Sequence, residues 1–223
     1  MALACASPAA AQLSGDIAFR TDDRFRGHSL SEGRPTLSLD LSYDHPSGLY
    51  LDLVVHAVDS LHDGPQLLGA EENFGYARRI RPDLSIDLGV TNSDYTEYYN
   101  GLRAAHYQEY YVGVIIKRVS VHLHYSPRYF GLPVGTLYGD VDGALPLDKR
   151  WRLTGHFGVL QQVAGATLDG AGRTHYDYRI GTVATFGPVD LQLEWTGGWG
   201  GRDYYANQTR GKNALVFGAA FKF

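Results

Sequence analysis

The chain has 223 residues, 44% of them hydrophobic, with 24 acidic residues against 20 Lys and Arg and a formal charge of −4. An acidic chain with no basic cluster lacks the electrostatic footprint of a nucleic-acid binder. No uninterrupted apolar run approaches the roughly 18 residues of a membrane helix, so helical spanning is excluded; crossing by alternating strands, whose mean hydropathy stays near zero, is not.

The first eleven residues, Met-Ala-Leu-Ala-Cys-Ala-Ser-Pro-Ala-Ala-Ala, read as the remnant of a secretory signal, with Ala9-Ala10-Ala11 as a cleavage site before Gln12. The sole cysteine, Cys5, lies within it, so residues 12–223 form a domain without thiols. Such a chain can cross an oxidising compartment without mispairing. A lipid-modified Cys5 is the alternative reading, which the short hydrophobic segment fits poorly.

From Gly15 onward the apolar residues recur with period two, the signature of strands with one greasy face. Ile17 and Phe19 open the pattern, and the polar loop Arg26–Gly33 follows. Leu37, Leu39, Leu41 and Tyr43 then oppose Thr36, Ser38, Asp40 and Ser42. After the turn His45-Pro46-Ser47-Gly48 come Leu49, Leu51, Leu53 and Val55 over Tyr50, Asp52, Val54 and His56. Beyond a long loop over 59–70, Phe74, Tyr76 and Ile80 lead to a turn at Arg81-Pro82-Asp83. Leu84, Ile86, Leu88 and Val90 return over Asp87.

The second half repeats the scheme. A loop over 93–106 precedes Tyr110, Val112, Val114 and Ile116, which oppose Glu109 and Tyr111. The turn at Lys117-Arg118 leads to Val119, Val121, Leu123 and Tyr125 over His122 and His124. Leu137, Val141 and Leu145 oppose Tyr138, Asp140 and Asp142. After Leu147–Arg150, Trp151, Leu153, Phe157 and Val159 oppose Arg152 and His156. A loop over 162–173 gives way to Tyr176, Tyr178, Ile180 and Phe186 over Asp177 and Arg179. Gly187-Pro188 turns into Val189, Leu191, Leu193 and Trp195 over Asp190 and Glu194. A Gly-rich loop over 197–212 reaches the last segment, with Leu215, Phe217, Phe221 and Phe223 on one parity.

Twelve strands result, with five tight turns alternating with six longer loops. The alternation of short and long connections belongs to bacterial outer-membrane barrels, whose strands need roughly 9–11 residues to cross. The expected fold is a single 12-stranded antiparallel up-and-down transmembrane β-barrel with both termini periplasmic. The terminal Phe223, after alternating apolar positions, looks like the signal that such barrels present to the assembly machinery. The lipid-facing set is Leu37, Leu39, Leu41, Leu51, Leu53, Val112, Val114, Val121, Leu123, Leu191, Leu193, Phe217 and Phe221, which makes outer-membrane lipid a partner. Aromatic residues cluster toward both ends of the outward faces, as two interfacial girdles require. Arg78 shares this outward parity and must snorkel to an interface.

Several segments resemble the TorF-type porin family, proteobacterial outer-membrane barrels long left uncharacterised. They are Ile86-Asp87-Leu88-Gly89-Val90, Tyr107–Gly113, Tyr125-Ser126-Pro127-Arg128-Tyr129-Phe130 and Leu153–Gly158, with Arg26-Gly27-His28-Ser29 similar to the family's N-terminal Arg-Gly-x-Ser signature. The resemblance covers residues 16–223, and Thr91–Gly101 departs from the family's Tyr/Pro/Gly-rich loop. It implies a pore and brings no established catalytic or ligand residue.

The opposite parity defines the pore lining: Asp40, Asp52, His56, Asp87, Glu109, Tyr111, His122, His124, Tyr138, Asp140, Asp142, Arg152, His156, Asp177, Arg179 and Glu194. Charged groups in this number can neither face lipid nor fill a dry core unpaired, so a hydrated lumen is the simplest account. Twelve strands leave a narrow passage, and Tyr50, Tyr111 and Tyr138 narrow it further. The expected activity is passive diffusion of small solutes with a preference for cations, without a cofactor. Two alternatives stand beside it. Counting across the turns can set His122, Asp140 and His156 side by side, with His124, Asp142 and Arg179 close, as a metal site or a base and its orienter in an enzyme such as a hydrolase. Tyr98, Tyr99, Trp199, Tyr204 and Tyr205 could instead build a binding surface on the loops.

Overall fold

The structure, a computed structural model, describes residues 12–60, 64–97, 104–167, 171–201 and 213–223. The signal reading of residues 1–11 lies outside them. Twelve antiparallel strands close into a barrel: β1 (Gln12–Arg20), β4 (Thr36–Asp44), β5 (Leu49–Ser60), β6 (Gly64–Arg81), β7 (Leu84–Tyr95), β8 (Ala105–Ile116), β9 (Val119–Ser126), β10 (Gly135–Pro146), β11 (Trp151–Ala164), β12 (Ala171–Phe186), β13 (Val189–Gly201) and β14 (Asn213–Lys222). Each pairs with its neighbour in sequence, and β14 returns to β1 with Ile17 opposite Phe221. Phe223 extends the seam, exchanging backbone hydrogen bonds with Gly15 at 2.9 and 3.1 Å.

Period two is visible residue by residue. Along β8, Tyr107, Glu109, Tyr111 and Gly113 are buried, while Tyr110, Val112 and Val114 are exposed. The outward row stays apolar as far as Tyr110 and then turns polar: Gln108 Nε2 donates to Asn92 Oδ1 at 2.7 Å and His106 Nδ1 lies 2.7 Å from Asp94 Oδ1. That change of character marks the upper edge of the apolar wall. Tyr110, Tyr125 and Trp195 lie near this edge, with Tyr176 stacked on Trp199 at 4.9 Å, while Tyr43, Trp151, Phe186 and Phe223 lie at the opposite end.

The strands run further toward the loops than alternation alone foretells. The expected loops at 59–70, 93–106, 162–173 and 197–212 are partly strand, with Ser60 opposite Gly64, Tyr95 opposite Ala105 and Ala171 opposite Gly201. Beyond the apolar edge both faces carry polar residues, so the side-chain period disappears while the backbone ladder continues. Trp199 accordingly belongs to β13 and not to a loop.

The expected polar loop at 26–33 is also not a loop on the outside. It forms a two-stranded hairpin, β2 (Arg24–Phe25) and β3 (His28–Ser29), folded into the barrel. Arg26 and Gly27 form its two-residue tip with φ of 47° and 79°, the left-handed geometry of a type I′ turn. Residues 127–134, with a 3-10 turn at Tyr129–Gly131, fold in from the other side. Phe25, Leu30, Tyr95, Tyr107, Tyr129, Phe130, Leu132 and Leu160 pack there as a dry core. Phe130 lies 4.8 Å from Tyr107 and 6.0 Å from Phe25 between ring centroids. The loop side of the interior is therefore occupied by an aromatic cluster with charged groups beside it, among them the buried Asp23 and the partly buried Glu71, and the side of the tight turns is polar and more open.

Candidate functional site

The polar half of the lumen is built by inward positions of neighbouring strands, and missing side chains make room for large ones. Tyr50 on β5 and Tyr111 on β8 meet hydroxyl to hydroxyl across Gly75 and Gly89. A Cβ at Gly75 would stand 2.6 Å from the Tyr111 hydroxyl, and one at Gly89 would collide with it too. The Tyr50 phenol donates to Asp87 Oδ1 at 2.9 Å, and Tyr111 to Asn73 Oδ1 at 3.1 Å. Asp40 and Asp52 lie on the adjoining wall, Asp40 opposite Asp16 across the β1–β4 ladder and Asp52 accepting from Asn73 Nδ2 at 3.2 Å.

Opposite this wall stands a cluster of His and Asp residues on β9 to β12. His122 Nδ1 lies 3.8 Å and His124 Nε2 3.1 Å from the Asp140 carboxylate, and His122 Nε2 is 3.6 Å from Asp87. His156 sits between two carboxylates, with Nδ1 2.9 Å from Asp142 and Nε2 2.8 Å from Asp177. Tyr138 packs against it, its hydroxyl 3.0 Å from Nε2 and donating to Asp177 at 3.3 Å. Arg179 donates to Asp142 Oδ1 at 3.2 Å and reaches Glu194 at 3.3 Å, and Arg152 donates to Asp190 at 2.8 Å. The counted row of His122, Asp140 and His156 is corrected by one pair: Asp140 stands opposite His122 and Gly158, while His156 stands opposite Asp142.

The hairpin caps this cluster. Both terminal nitrogens of Arg26 donate to Glu109, at 2.9 and 2.7 Å, and the guanidinium lies 3.8 Å from the centre of the Tyr138 ring. Burial, the largest single influence, opposes the charge on Arg26, and the Glu109 carboxylate together with Tyr129, Tyr107 and Tyr138 outweighs it, holding the pKa of the guanidinium well above its ordinary value. His56 approaches Asp23, just before the hairpin, at 2.8 Å. Between the hairpin tip and the cluster is a cavity of about 250 Å³ lined by His124, Tyr138, Asp140, His156, Asp177 and Arg179 among others. A second of about 520 Å³, bounded by Arg20, Asp87, Asp142, Arg179 and Glu194, lies toward the Lys117-Arg118 turn. Arg179 borders both.

Thus all sixteen residues read as pore lining lie on the charged inner side. Of the outward set, Leu37, Leu39, Leu51, Val112, Val114, Val121, Leu123, Leu191, Leu193, Phe217 and Phe221 are exposed on the outer wall. Leu41 and Leu53, opposite one another across the β4–β5 ladder, are half-buried. Arg26, Arg24 and Asp23 were missed as lumenal groups; the signal for them is the aromatic Phe25 between two arginines. Of the loop aromatics, Tyr98, Tyr99, Tyr204 and Tyr205 lie outside the described residues.

A closed twelve-stranded sheet with a charged interior and an apolar exterior is an outer-membrane β-barrel, and the solved structures it resembles are of that kind. Residues 4–220 match Gcw_chp, a family described as bacterial protein of unknown function, and the chain belongs to that family. No curated protein matches it. Among solved structures, a NanC porin is similar at 9% identity over 95% of this chain and 100% of its own, with a TM-score of 0.61. A KdgM porin is similar at 13% identity over 94% and 99%, with a TM-score of 0.56. LpxR from Salmonella typhimurium is similar at 12% identity over 94% and 99%, with a TM-score of 0.50. At these identities the likeness is one of fold.

Proposed function

We propose that the protein is an outer-membrane channel for passive diffusion of small solutes, with both termini periplasmic and a cation-preferring lumen, and that it is a TorF-type porin. The observation that carries this reading is the open, charged half of the interior, where a vestibule of about 520 Å³ is lined by Asp87, Asp142 and Glu194 together with Arg20, Lys117, Arg118 and Arg179, and where further acids stand on the β1–β7 wall. Among the described residues Asp16, Asp40, Asp52 and Asp87 make no ion pair with Arg or Lys, whereas Arg20, Arg152 and Arg179 each face a carboxylate. In a narrow bore of low dielectric, unmatched carboxylates concentrate cations and repel anions. The aromatic core on the loop side narrows the path, so conductance is small.

One KdgM structure is a complex with disordered oligogalacturonate. The acidic excess here opposes such a polyanion and favours neutral or cationic solutes. Catalysis is disfavoured because His122, His124 and His156 are hydrogen-bonded or ion-paired to carboxylates and to Tyr138, and among the described residues no serine or threonine hydroxyl is hydrogen-bonded to them. The C-terminal strand and Phe223 would engage the assembly machinery.

The test is conductance in a planar bilayer under a salt gradient. The channel reading expects small steps with a cation-biased reversal potential. A folded barrel that never conducts, or one that prefers anions, overturns it.

A further inference from the structure

We propose that Asp140, Asp142 and His156 form a binding site for a divalent first-row transition cation of the Zn²⁺ or Co²⁺ type. One carboxylate oxygen from each aspartate and one ring nitrogen of His156 lie within 4.8 Å of one another. Coordination at about 2.0–2.2 Å asks these atoms to draw together by rotation of their side chains, Asp140 and His156 bordering the cavity beneath the hairpin and Asp142 the larger one toward the turns.

Three features beyond proximity support a site. The first is the outer support of the ligands. His156 Nε2 lies 2.8 Å from Asp177 Oδ1 and Nδ1 2.9 Å from Asp142 Oδ2; in the tautomer protonated at Nε2 the ring donates to Asp177 and turns a free lone pair at Nδ1 toward Asp142. A histidine anchored through its far nitrogen by a carboxylate is the arrangement that orients metal ligands. Tyr138 steadies Asp177 in turn, and Arg179 holds Asp142 through Oδ1, so that Oδ2 is the oxygen turned toward His156.

The second is Asp140. It is 7% exposed, and its Oδ2 is buried and accepts no hydrogen bond, although His124 Nε2 stands 3.1 Å away without the alignment one needs. Its contacts with His122 and His124 are ion pairs only when those rings are protonated, and a cation would take their place at the carboxylate, with His124 within reach as a further ligand. The third is charge. Asp140 and Asp177 border the cavity beneath the hairpin, with Asp142 and Asp87 behind them on the vestibule side, while of the arginines at that cavity Arg24 is paired with Asp22, Arg26 with Glu109 and Arg179 with Asp142 and Glu194. The cavity of about 250 Å³ has room for the waters that complete a coordination shell.

The donor set names the class of ion. Mixed imidazole and carboxylate donors suit Zn²⁺, Co²⁺ or Ni²⁺, whereas Mg²⁺ and Ca²⁺ prefer all-oxygen shells and Cu⁺ prefers sulfur. A cation at Nδ1 takes the place of the close contact between His156 and Asp142.

The experiment titrates Co²⁺ alone into the tag-free full chain in detergent, reading visible ligand-field absorption. The expected result is saturation at one equivalent with a spectrum distinct from the aquo ion. His156→Gln and Asp142→Asn should abolish it, Asp177→Asn should weaken it about 10–100-fold, and His106→Gln at the rim should change nothing. If a ligand variant misfolds, Zn²⁺-dependent thermal stabilisation of the wild type, competed by a chelator, serves as the second measure. No saturable uptake by the folded wild type, an aquo-ion spectrum, or full binding by both ligand variants overturns the site. Uptake is measured without a membrane, so it fails or succeeds independently of the channel: binding without conductance sinks only the channel, and conductance without binding sinks only the site.

Discussion

Arg26 and Glu109 form a buried bidentate ion pair, at 2.9 and 2.7 Å, between the tip of the inward hairpin and the wall of the barrel. The pair lies at the boundary between the aromatic core above and the polar cavity below, and Arg26 is also held over the rings of Tyr138 and Phe25. It ties the tip of the hairpin to β8.

Arg26→Ala leaves Glu109 buried without its partner, a loss of about 3–5 kcal/mol when one member of such a pair is removed. Losing this tie at its tip, the hairpin should loosen from the wall while the barrel persists. The expected outcome is faster proteolysis within residues 21–35 and larger conductance steps, with unchanged heat-dependent mobility on gels. Steps of wild-type size from a cleaved hairpin would show that the segment does not obstruct the path.

Two glycines of the same segment separate backbone strain from packing. Gly27 and Gly33 both have positive φ, 79° and 73°. A Cβ at Gly27 would stand 2.6 Å from the carbonyl oxygen of Gly197 and 2.9 Å from Asp177 Cβ, whereas one at Gly33 meets nothing within 4 Å. Gly33→Ala should therefore lose about 1 kcal/mol from conformation alone. Gly27→Ala should lose more and release the hairpin as Arg26→Ala does. Proteolysis midpoints of the two variants rank them; equal ranking would mean that the tip does not seat against β12 and β13.

The barrel was legible because its physics is written in period two: Leu37 to Tyr43 and Val119 to Tyr125 announce one greasy face each, and the strand count follows. What alternation could not disclose is the fate of segments whose side chains do not alternate. Arg26-Gly27-His28-Ser29 reads as a solvated loop, since its arginine, glycine and serine are ordinary loop residues. Only the structure gives them tasks: Arg26 binds Glu109, Gly27 admits the close approach to Gly197, and Ser29 donates to Asp22 at 2.5 Å. Register was the other blind spot. The turn at 147–150 could place His156 opposite Asp140 or Asp142 with the same faces inward, and a slip of two residues preserves parity while changing every partner.

The unmatched acids of the β4–β7 wall govern ion preference in the channel reading. Asp40→Asn together with Asp52→Asn should move the reversal potential toward zero and leave the step size nearly unchanged, because neither side chain holds up the hairpin. Arg179→Gln should act in the opposite sense, freeing Asp142 and Glu194. The bias should also shrink as salt rises toward 1 M, where the Debye length falls to about 3 Å. A bias indifferent to both the aspartates and salt would place the selectivity elsewhere.

The outer wall offers the test on which the membrane reading depends. Val112 is 55% exposed in the middle of the apolar row of β8, and Gln108 lies four residues further toward the loops on the same face, beyond the apolar edge. In water both positions are surface positions, and an arginine at either would be nearly neutral. In a bilayer an arginine near the midplane costs about 2–4 kcal/mol and one near the interface about 0–1. Val112→Arg and Gln108→Arg, unfolded by urea from lipid vesicles, should therefore differ by roughly 2 kcal/mol or more. In detergent micelles thin enough to admit water the gap should narrow. Equal costs in vesicles would mean that the exposed valine, leucine and phenylalanine rows of this barrel meet something other than hydrocarbon.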